Sequence, residues 1–454
     1  MMSLIPLHHP LKNTIACVQT SFERGLASIT ASTFFGKITS ARGLLVEAVG
    51  ITPRVHLGST VSIQQKDAEG LLAEVVGFRE ETVLLMAYGT LEGIRPGARV
   101  DIVQDSLKVY PTKAWQGRVI DALGQPLDHK GPLPQGSQAY GLKASPPQAH
   151  TRKRTNARID LGVKALNTFT TCCRGQRIGI FAGSGVGKSV LLGQITRFTE
   201  CDVVIVGLIG ERGREVGEFL EDQLGEDGLK RAIVVVATSD QPALLRRQAA
   251  YLTMTLAEYF RDQGLNVLCL MDSVTRFASA QREIGLSAGE PPTTRGFPPT
   301  VFSELPRLLE RAGTTDHEGS ITGIFTILVE GDDHNEPISD ATRSILDGHI
   351  VLDRSIAEKG RYPAVNILKS LSRTMPDCNT LEETEHIQKA RKSMAVYEDI
   401  AEMLSLGAYR PGSSAEVDAA IALYPKLNAF LSQRKTEHTK INDGFAQLKD
   451  ILSS

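Results

Sequence analysis

A glycine-rich stretch in the middle of the chain has the composition of a phosphate-binding loop. Its three glycines would let backbone N–H groups turn inward towards phosphate oxygens, and the helix predicted after it would add positive potential. The Lys188 ammonium would neutralise the β- and γ-phosphates of ATP, and the Ser189 hydroxyl would ligate Mg²⁺. The usual pattern begins with glycine, whereas Ala182 stands there in this chain. The predicted nucleotide-binding residues of the loop are Ala182, Gly183, Ser184, Gly185, Val186, Gly187, Lys188 and Ser189.

Two acidic residues follow two other apolar runs of the same region. The run 267–271 leads directly into Asp272, and the run 203–209 leads through a glycine into Glu211. Ligands of open α/β sheets bind beyond the carboxyl ends of the strands, so Lys188, Glu211 and Asp272 are expected to converge there. An acid at the position of Asp272 typically holds Mg²⁺ through water. Either acid alone would be more typical of a solvated strand end, but the three together favour a nucleotide site.

The region that must position these residues, about 155–375, alternates apolar runs with helical patterns. Near-continuous apolar runs are typical of parallel strands that are covered on both faces. Between two of them, residues 242–264 carry apolar side chains at 3- or 4-residue spacing and end at a glycine, which predicts a helix. The predicted fold of this region is an α/β core with a mainly parallel sheet. The runs are 177–182, 203–209, 233–237, 267–271 and 321–329.

The two ends of the chain have different patterns. Residues 25–103 contain short apolar runs separated by Gly and Pro about every 8–12 residues, which predicts a small β-barrel or sandwich. Residues 124–147 are rich in Gly and Pro and are interpreted as an extended connection. Apolar stripes at helical spacing predict a helical domain at the C-terminal end. The predicted domains are an N-terminal segment 1–24, a β-barrel 25–103, an ATPase domain 104–378 and a helical domain 379–454.

Length and composition set limits on the class of protein. The chain has 454 residues, which suggests about three domains at roughly 150 residues each. Charged residues make up 22% of the chain and the net charge is −2, which argues against disorder and against nucleic-acid binding along its length. No apolar run approaches the roughly 18 residues that span a bilayer. The six cysteines form no CxxC motif, so a soluble protein of the reducing cytoplasm is expected.

Several long motifs resemble those of the ATPases of bacterial type III protein export, which are similar to the catalytic subunits of rotary ATP synthases. The resemblance extends over about residues 25–430. Within that family, the loop GSGVGKS resembles the flagellar branch more than the virulence-secretion branch, and alanine at position 182 is usual in the flagellar branch. The motifs are GLIGERGREV at 207–216, LMDSVTRF at 270–277, GEPP at 289–292, EGDD at 330–333, SILDGHI at 344–350 and YPAV at 362–365.

The resemblance implies roles for residues around the nucleotide. Glu211 matches the acid that polarises the attacking water, and Asp272 matches the acid linked to Mg²⁺. Arg212 and Arg276 match arginines near the γ-phosphate. The implied reaction is hydrolysis of MgATP to ADP and phosphate.

The resemblance also implies a ring. Tyr362 matches the aromatic residue that packs against adenine, and Arg373 matches an arginine finger offered to the nucleotide of the neighbouring subunit. A homohexamer with active sites between its subunits is therefore expected. Without the resemblance, Tyr362 could equally be a core tyrosine, and Arg373 would be an ordinary surface arginine.

Further partners are implied by the same resemblance. The N-terminal segment carries Leu4, Ile5, Leu7 and Leu11 and is expected to bind a regulatory, stator-like export protein. The C-terminal helices are expected to meet a central stalk protein, export chaperones and the export gate. The expected location is cytoplasmic and peripheral, at the export apparatus of the inner membrane.

Other interpretations of the sequence remain open. A Rho-like nucleic-acid motor would need a basic, aromatic-rich domain at the front, and residues 25–103 hold few aromatics and no basic stripe. A non-catalytic ring subunit would lack the acid at position 211. ATP synthesis is a third alternative, but the export members of the resembled family couple to secretion. The clusters His8-His9 and Asp332-Asp333-His334 hint at a metal site, but no third ligand has suitable spacing, and a solvated loop is expected. The basic run 151–154 is interpreted as a solvated linker, and no nucleic-acid partner is expected.

Overall fold

The computed structural model describes residues 34–65, 70–154, 157–329, 331, 333 and 336–453. The predicted N-terminal segment 1–24, with its expected regulatory partner, lies outside the described residues, and so do His8, His9, Asp332 and His334. The described residues form two compact units. The smaller unit holds most of residues 34–105, and the larger unit holds residues from 106 onward.

The smaller unit is a closed barrel of six strands in the order β1-β2-β5-β4-β3-β6, in which β1 also pairs with β6. Side chains alternate between its interior and its surface, as in Leu45–Val49, where Val46 and Ala48 are buried and their neighbours are partly exposed. The predicted β-barrel is therefore confirmed. Its strands are β1 Phe35–Arg42, β2 Leu45–Val49, β3 Thr60–Ile63, β4 Leu71–Arg79, β5 Thr82–Ala87 and β6 Arg99–Gln104.

The larger unit is built on a nine-stranded sheet with the order β19-β18-β12-β17-β15-β13-β14-β8, and β16 pairs with β17. Its central strands are parallel, and β16 and β19 are antiparallel to their neighbours. The predicted, mainly parallel sheet is confirmed. The strands are β8 Val119–Asp121, β12 Arg177–Ala182, β13 Val203–Glu211, β14 Ala232–Thr238, β15 Asn266–Asp272, β16 Gly313–Thr314, β17 Ser320–Leu328, β18 Gly348–Leu352 and β19 Val365–Ser372. Two-residue strands form separate pairs, β7 Lys108–Val109 with β9 Tyr140–Gly141 and β10 Arg158–Ile159 with β11 Cys172–Cys173.

Two hydrophobic cores lie on the two faces of this sheet. Along β13, Val204 and Val206 belong to one core and Val203 and Ile205 to the other. Helices cover both faces of the sheet. For this reason the strand sequences are continuous apolar runs and do not alternate apolar with polar residues. The helices are α1 Lys164–Phe169, α2 Lys188–Phe198, α3 Gly213–Glu218, α4 Gly225–Lys230, α5 Ala243–Asp262, α6 Val274–Ser287, α7 Pro299–Leu309, α8 Pro337–Ile345, α9 Arg354–Glu358, α10 Leu381–Ser405, α11 Ala415–Leu431 and α12 Ile441–Ser453, with a π-helical turn at Phe219–Leu224.

The C-terminal helices α10, α11 and α12 share one of these cores with the sheet, and the predicted helical region is confirmed. A capping box formed by Thr380 and Glu383 fixes the start of α10. The apolar stripe of α10 is buried only in its first part, at Ile387 and Met394. Further along, Tyr397 is half-buried and stacks on Tyr424 of α11, with ring centroids 3.6 Å apart.

The Gly- and Pro-rich stretch 124–147 is more firmly packed than an extended connection would be. Leu133 and Leu142 are buried in the core that contains helix α5, and the indole N–H of Trp115 donates to the carbonyl oxygen of Pro134 at 2.7 Å. Among the described residues, the structure contains no helix that is both long and apolar enough to span a membrane.

Candidate nucleotide site

The glycine-rich loop joins the end of β12 to the start of α2. Ala182 is the last residue of the strand and is fully buried in the core, so a small apolar side chain fits there. Gly185 and Gly187 have φ of +79° and +90°, a conformation that favours glycine, and Gly187 immediately precedes the helix. Val186 is buried between them and anchors the loop in the core. The loop therefore leads its backbone N–H groups into a helix N-terminus, the geometry that binds phosphate.

The side chains of Lys188, Glu211 and Asp272 meet at the carboxyl ends of β12, β13 and β15. The Lys188 ammonium donates to Asp272 Oδ1 at 2.5 Å and to Glu211 Oε1 at 3.2 Å. All three side chains are nearly buried, with exposed fractions of 11%, 12% and 6% for lysine, glutamate and aspartate. The structure thus brings together the three residues that the sequence placed at strand ends.

Thr326, which was not predicted from the sequence, completes this cluster. Its hydroxyl lies on β17, is fully buried, and donates to Asp272 Oδ1 at 2.6 Å. The hydroxyl also lies 3.3 Å from the carbonyl oxygen of Met271. Only the pairing of β17 with β15 brings Thr326 to Asp272, and nothing in the local sequence signals it.

Burial and charge shift the pKa values of this cluster in defined directions. Burial raises the pKa of Glu211 to about 8, and the nearby Asp272 carboxylate adds to this rise, which the Lys188 ammonium opposes. Burial lowers the pKa of Lys188, but the Asp272 and Glu211 carboxylates outweigh it, so the pKa lies above its usual value. The lysine is therefore firmly protonated, and the raised pKa makes the ionised form of Glu211 a stronger base than an ordinary glutamate.

A cavity of about 470 Å³ opens over the loop, and Lys188 and Glu211 of this cluster line it. Arg212 and Arg276 both line it. Arg276 packs closely on the backbone, since a Cβ placed on Gly210 would come within 2.8 Å of the Cβ of Arg276. The side chain of Arg212 is 81% exposed and lies 3.5 Å from Glu215, so it is free to turn towards a ligand. Glu215 and Glu218 also line the cavity and were not predicted from the sequence.

A second, more apolar cavity of about 570 Å³ shares Gly187 and Val190 with the first. Tyr362 lines it, and a Cβ placed on Gly187 would contact the tyrosine ring at 3.4 Å. The ring is 47% exposed and therefore presents a face to the cavity. Val190, Leu191 and Gln194 of α2 and the segment 432–437 complete the lining. The position and character of this cavity suit a purine base beside the phosphate loop.

The segment 432–437 reaches the cavity because Gln433 holds it there. The Gln433 side chain is buried, accepts from the Lys164 backbone N–H at 2.7 Å, and donates to the carbonyl oxygens of Gly162 at 2.8 Å and Glu437 at 2.7 Å. Its own backbone N–H donates to the carbonyl oxygen of Tyr362 at 2.9 Å. Gln433 was not predicted from the sequence, because its partners lie up to 271 residues away along the chain.

Replacing Gln433 should loosen this wall of the cavity without touching the phosphate loop. Gln433→Ala removes three side-chain hydrogen bonds and leaves buried polar groups unpaired, each at a cost of about 1–3 kcal/mol. We expect the KM for ATP to rise about tenfold with kcat changed less than twofold, measured by steady-state ATPase assays. The exposed Thr436→Ala is the matched control in the same segment. An unchanged KM in a Gln433→Ala protein that is folded by circular dichroism would contradict the assignment.

The residues that could hold Mg²⁺ are Ser189 and Asp272. Ser189 lines the phosphate-side cavity with its hydroxyl exposed, and the Asp272 carboxylate is oriented by Thr326. Hydroxyl and carboxylate oxygens are hard ligands that suit Mg²⁺, which usually takes one or two protein oxygens and completes its shell with phosphate oxygens and water. No group of three His, Cys, Asp or Glu side chains suited to a metal occurs within the described part of the chain. The donor set therefore fits a nucleotide-bound ion better than a resident structural one.

Arg373 lies apart from both cavities of its own chain. It follows the last residue of β19, its side chain is exposed, and its backbone N–H donates to the carbonyl oxygen of Asp347 at 2.9 Å. It lines neither the phosphate-side nor the base-side cavity. The structure thus does not bring Arg373 to the nucleotide site of the same subunit.

The sequence patterns of three protein domains match successive parts of the chain. The nucleotide-binding domain of the ATP synthase alpha/beta family matches residues 162–372, and the β-barrel domain of that family matches residues 38–103. The C-terminal domain of the type III secretion ATPase EscN matches residues 380–450.

Similar proteins extend over nearly the whole chain. The chain is 58% identical to the flagellum-specific ATP synthase of Caulobacter vibrioides over 430 residues, which is 93% of this chain and 96% of that protein. The assembled ATPase EscN of the type III secretion system of enteropathogenic E. coli superposes with a TM-score of 0.87 at 41% identity, over 92% of this chain and all of the other. The same ATPase in complex with its central stalk EscO gives 0.84 at 40% identity, over the same shares of the two chains.

These matches define the class to which the protein belongs. The barrel, the parallel sheet with its phosphate loop and the C-terminal helices are those of a nucleotide-binding ATPase. The chain belongs to the ATP synthase alpha/beta family, in the group of type III export ATPases. It is an ATPase of type III export, and its relatives include a flagellum-specific protein and a type III secretion ATPase.

Proposed function

We propose that the protein hydrolyses MgATP to ADP and phosphate as a homohexamer and thereby energises export of flagellar proteins during flagellum assembly. The observation that carries the hydrolytic part is the contact of Lys188 with both Glu211 and Asp272 at the mouth of the phosphate loop. The flagellar part is supported by the 58% identity to the Caulobacter vibrioides protein. The match of residues 380–450 to the EscN C-terminal domain favours virulence secretion as the second candidate.

Some of the site residues bind the nucleotide, and others activate the attacking water or stabilise the transition state. The loop N–H groups and Lys188 bind and orient the phosphates, and Glu211 accepts a hydrogen bond from the attacking water. Arg276 and Arg212 place positive charge where the transferred phosphoryl group develops negative charge. When bound, Mg²⁺ held by Ser189 and Asp272 would neutralise phosphate charge. Phosphoryl transfer leaves little covalent chemistry to the protein, so positioning and electrostatics supply the rate.

The ring and its partners are proposed by similarity. EscN is described as assembled and in complex with a central stalk, and the high structural similarity supports a homohexamer with a stalk protein for this chain. Arg373, exposed and remote from its own nucleotide site, suits a group that is offered to a neighbouring subunit. We further propose export chaperones and the export gate on the C-terminal side, and a location in the cytoplasm at the inner-membrane export apparatus.

A size measurement on the full chain tests the proposal. Light scattering with a non-hydrolysable ATP analogue and Mg²⁺ should show a hexamer, and ATPase activity per subunit should rise with protein concentration. Restoration of motility to a bacterium lacking its flagellar ATPase would favour the flagellar branch over virulence secretion. ATPase activity that requires single-stranded RNA, together with filter binding of that RNA, would favour a nucleic-acid motor and contradict the proposal.

The N-terminal segment offers a separate prediction about a regulatory partner. Leu4, Ile5 and Leu7 are apolar residues of the segment that the family resemblance assigns to partner binding. Deletion of residues 2–18 should leave the melting temperature and basal ATPase unchanged but abolish binding of the stator-like export protein in a pull-down. A fall of several degrees in melting temperature would instead show that the segment packs on the folded protein.

A further inference from the structure

A single buried glutamine side chain holds the backbone on both sides of Arg373. Gln176 is fully buried and lies one residue before β12. Its amide nitrogen donates to the Ser372 hydroxyl at 2.9 Å, and its amide oxygen accepts from the Thr374 hydroxyl at 3.0 Å. Ser372 and Thr374 are the two sequence neighbours of Arg373. Gln176 lines neither nucleotide cavity, so the chemistry proposed above gives it no role.

The same amide also reaches the residue that precedes β18. Gln176 Nε2 donates to the carbonyl oxygen of Asp347 at 3.1 Å, and this oxygen also accepts the backbone N–H of Arg373 at 2.9 Å. The two carboxylate oxygens of Asp347 each accept from the Arg177 guanidinium at 2.9 Å. Such a two-pronged pair between arginine and carboxylate has a well-defined geometry. Asp347 is therefore a fixed point to which the backbone of Arg373 is attached.

The Gln176 side chain is itself held in one orientation. Its oxygen accepts from the Thr374 hydroxyl and from the Cys173 backbone N–H at 2.9 Å, and its nitrogen donates to Ser372 and Asp347. These bonds use both acceptor sites and both donors of the amide. The backbone carbonyl of Gln176 also accepts the Gly323 N–H at 3.0 Å, which ties the residue to the central sheet. The amide therefore cannot rotate without breaking several hydrogen bonds.

The Arg373 side chain depends on its backbone for its position. Its guanidinium is exposed and has no hydrogen-bond or ion-pair partner within the part of its own chain that the structure describes. Where this group can reach is therefore set by the backbone of residues 372–374, which Gln176 holds at both ends. A displacement of about 1 Å can cost about a hundredfold in rate when a group must meet a transition state.

We propose that Gln176 is a positioning residue for Arg373. It fixes the backbone on both sides of the arginine, so that the exposed guanidinium meets the nucleotide bound to the neighbouring subunit. The inference rests on the proposed role of Arg373 in the ring. Gln176 touches neither nucleotide nor water in this mechanism, and it acts only through Arg373.

Methionine is the substitution that removes these hydrogen bonds with the least change in packing. It is unbranched and flexible and has nearly the length of glutamine, so it can fill the same space. The groups next to Arg373 keep other partners, since the Ser372 hydroxyl also donates to the carbonyl oxygen of Thr171 at 2.8 Å. The Asp347 carbonyl oxygen likewise keeps the Arg373 N–H. Gln176→Met is therefore expected to loosen the segment and not to unfold the protein.

Steady-state kinetics on the full chain measure the effect of this loosening. At ring-forming concentrations Gln176→Met should lower kcat at least about tenfold, because a misplaced arginine weakens only the transition state. The KM for ATP, and the affinity of the monomer for a fluorescent ATP analogue, should change less than twofold. Thr374→Val removes the hydrogen bond on one side of Arg373 only and should lower kcat about threefold.

Asn167→Leu is the matched control for the loss of a buried amide. The Asn167 side chain is also buried and makes three hydrogen bonds, none of them to residues 372–374. This variant should lower the melting temperature as Gln176→Met does, yet keep kcat at saturating ATP within twofold of the original value. The comparison separates a general loss of stability from a displaced Arg373.

Mixed rings distinguish a positioning role from damage to the residue's own nucleotide site. A Lys188→Ala subunit carries intact Gln176 and Arg373, so it can offer a correctly placed arginine to a Gln176→Met subunit whose phosphate loop is intact. The mixture should therefore regain part of the activity that the two proteins lack when assayed separately. If the substitution instead damaged the phosphate loop of its own chain, no neighbour could restore that site.

Parallel assays of Arg373→Ala separate failure of this inference from failure of the proposed function. Suppose that Arg373→Ala is inactive and is restored by Lys188→Ala subunits. A folded Gln176→Met protein that keeps more than half of the original kcat, or that mixing does not restore, would then show that Gln176 does not position the arginine. If Gln176→Met does not fold, an unchanged kcat of Thr374→Val would contradict the inference instead. A fully active Arg373→Ala protein would overturn the proposed role of Arg373 and this inference with it.

Discussion

Glu211→Gln should bind MgATP with nearly normal affinity and hydrolyse it about 10²–10⁴-fold more slowly than the unchanged protein, the range typical of a lost general base. The amide keeps the shape of the carboxylate but cannot accept the water proton, so the loss is confined to the transition state. Lys188→Ala should lose both affinity and turnover, because it removes the charge that holds the phosphates in the ground state as well. Equilibrium binding of a fluorescent ATP analogue, beside kcat from steady-state assays, separates the two effects.

Controls must exclude a change in folding. Lys188 neutralises two nearly buried carboxylates, so its removal leaves Glu211 and Asp272 facing each other, and thermal melting should accompany the kinetics. Glu215→Gln is the matched control for Glu211→Gln, since Glu215 lines the same cavity but its side chain is 43% exposed. A Glu211→Gln protein that keeps more than half of the original kcat would refute its role as the water-polarising acid.

The parts of the fold and site that could be predicted are those signalled by local sequence. The phosphate loop combines three glycines, a lysine and a serine within eight residues, and the loop binds phosphate through its own backbone. Glu211 and Asp272 follow buried strands, and the ends of parallel strands in one sheet meet at one edge. The barrel, the sheet and the C-terminal helices also follow from periodicity, which local propensity and burial both determine.

The remaining parts depend on contacts between distant segments. Thr326 reaches Asp272 only because β17 pairs with β15, and Gln433 reaches Gly162 across 271 residues of chain. The Gly and Pro content of residues 124–147 predicts an extended connection, yet Leu133 and Leu142 of this stretch are buried in the core. In each case a single side chain contacts a segment that is distant along the chain, and the residues next to it in sequence do not predict that contact.

Arg373→Ala should abolish most of the activity of the ring while leaving the monomer unaffected. If Arg373 serves the neighbouring subunit, its guanidinium neutralises charge on the transferred phosphoryl group, which for arginine fingers is worth about 10³–10⁵ in rate. Within one chain the residue lines neither nucleotide cavity, so binding of ATP by the monomer should not change. The rise in activity per subunit with protein concentration should therefore disappear.

Mixing two inactive proteins tests directly whether Arg373 acts between subunits. In a head-to-tail ring every interface pairs two different surfaces, so each subunit can complete the site of one neighbour. A Lys188→Ala subunit still carries Arg373 and can offer it to an Arg373→Ala subunit whose phosphate loop is intact. The mixture should thus recover part of the activity that both proteins lack when assayed separately. As a control, a protein with both substitutions should not restore activity when it is mixed with either single variant. If light scattering and a tagged pull-down show mixed rings and the mixture remains inactive, Arg373 does not serve a neighbouring site.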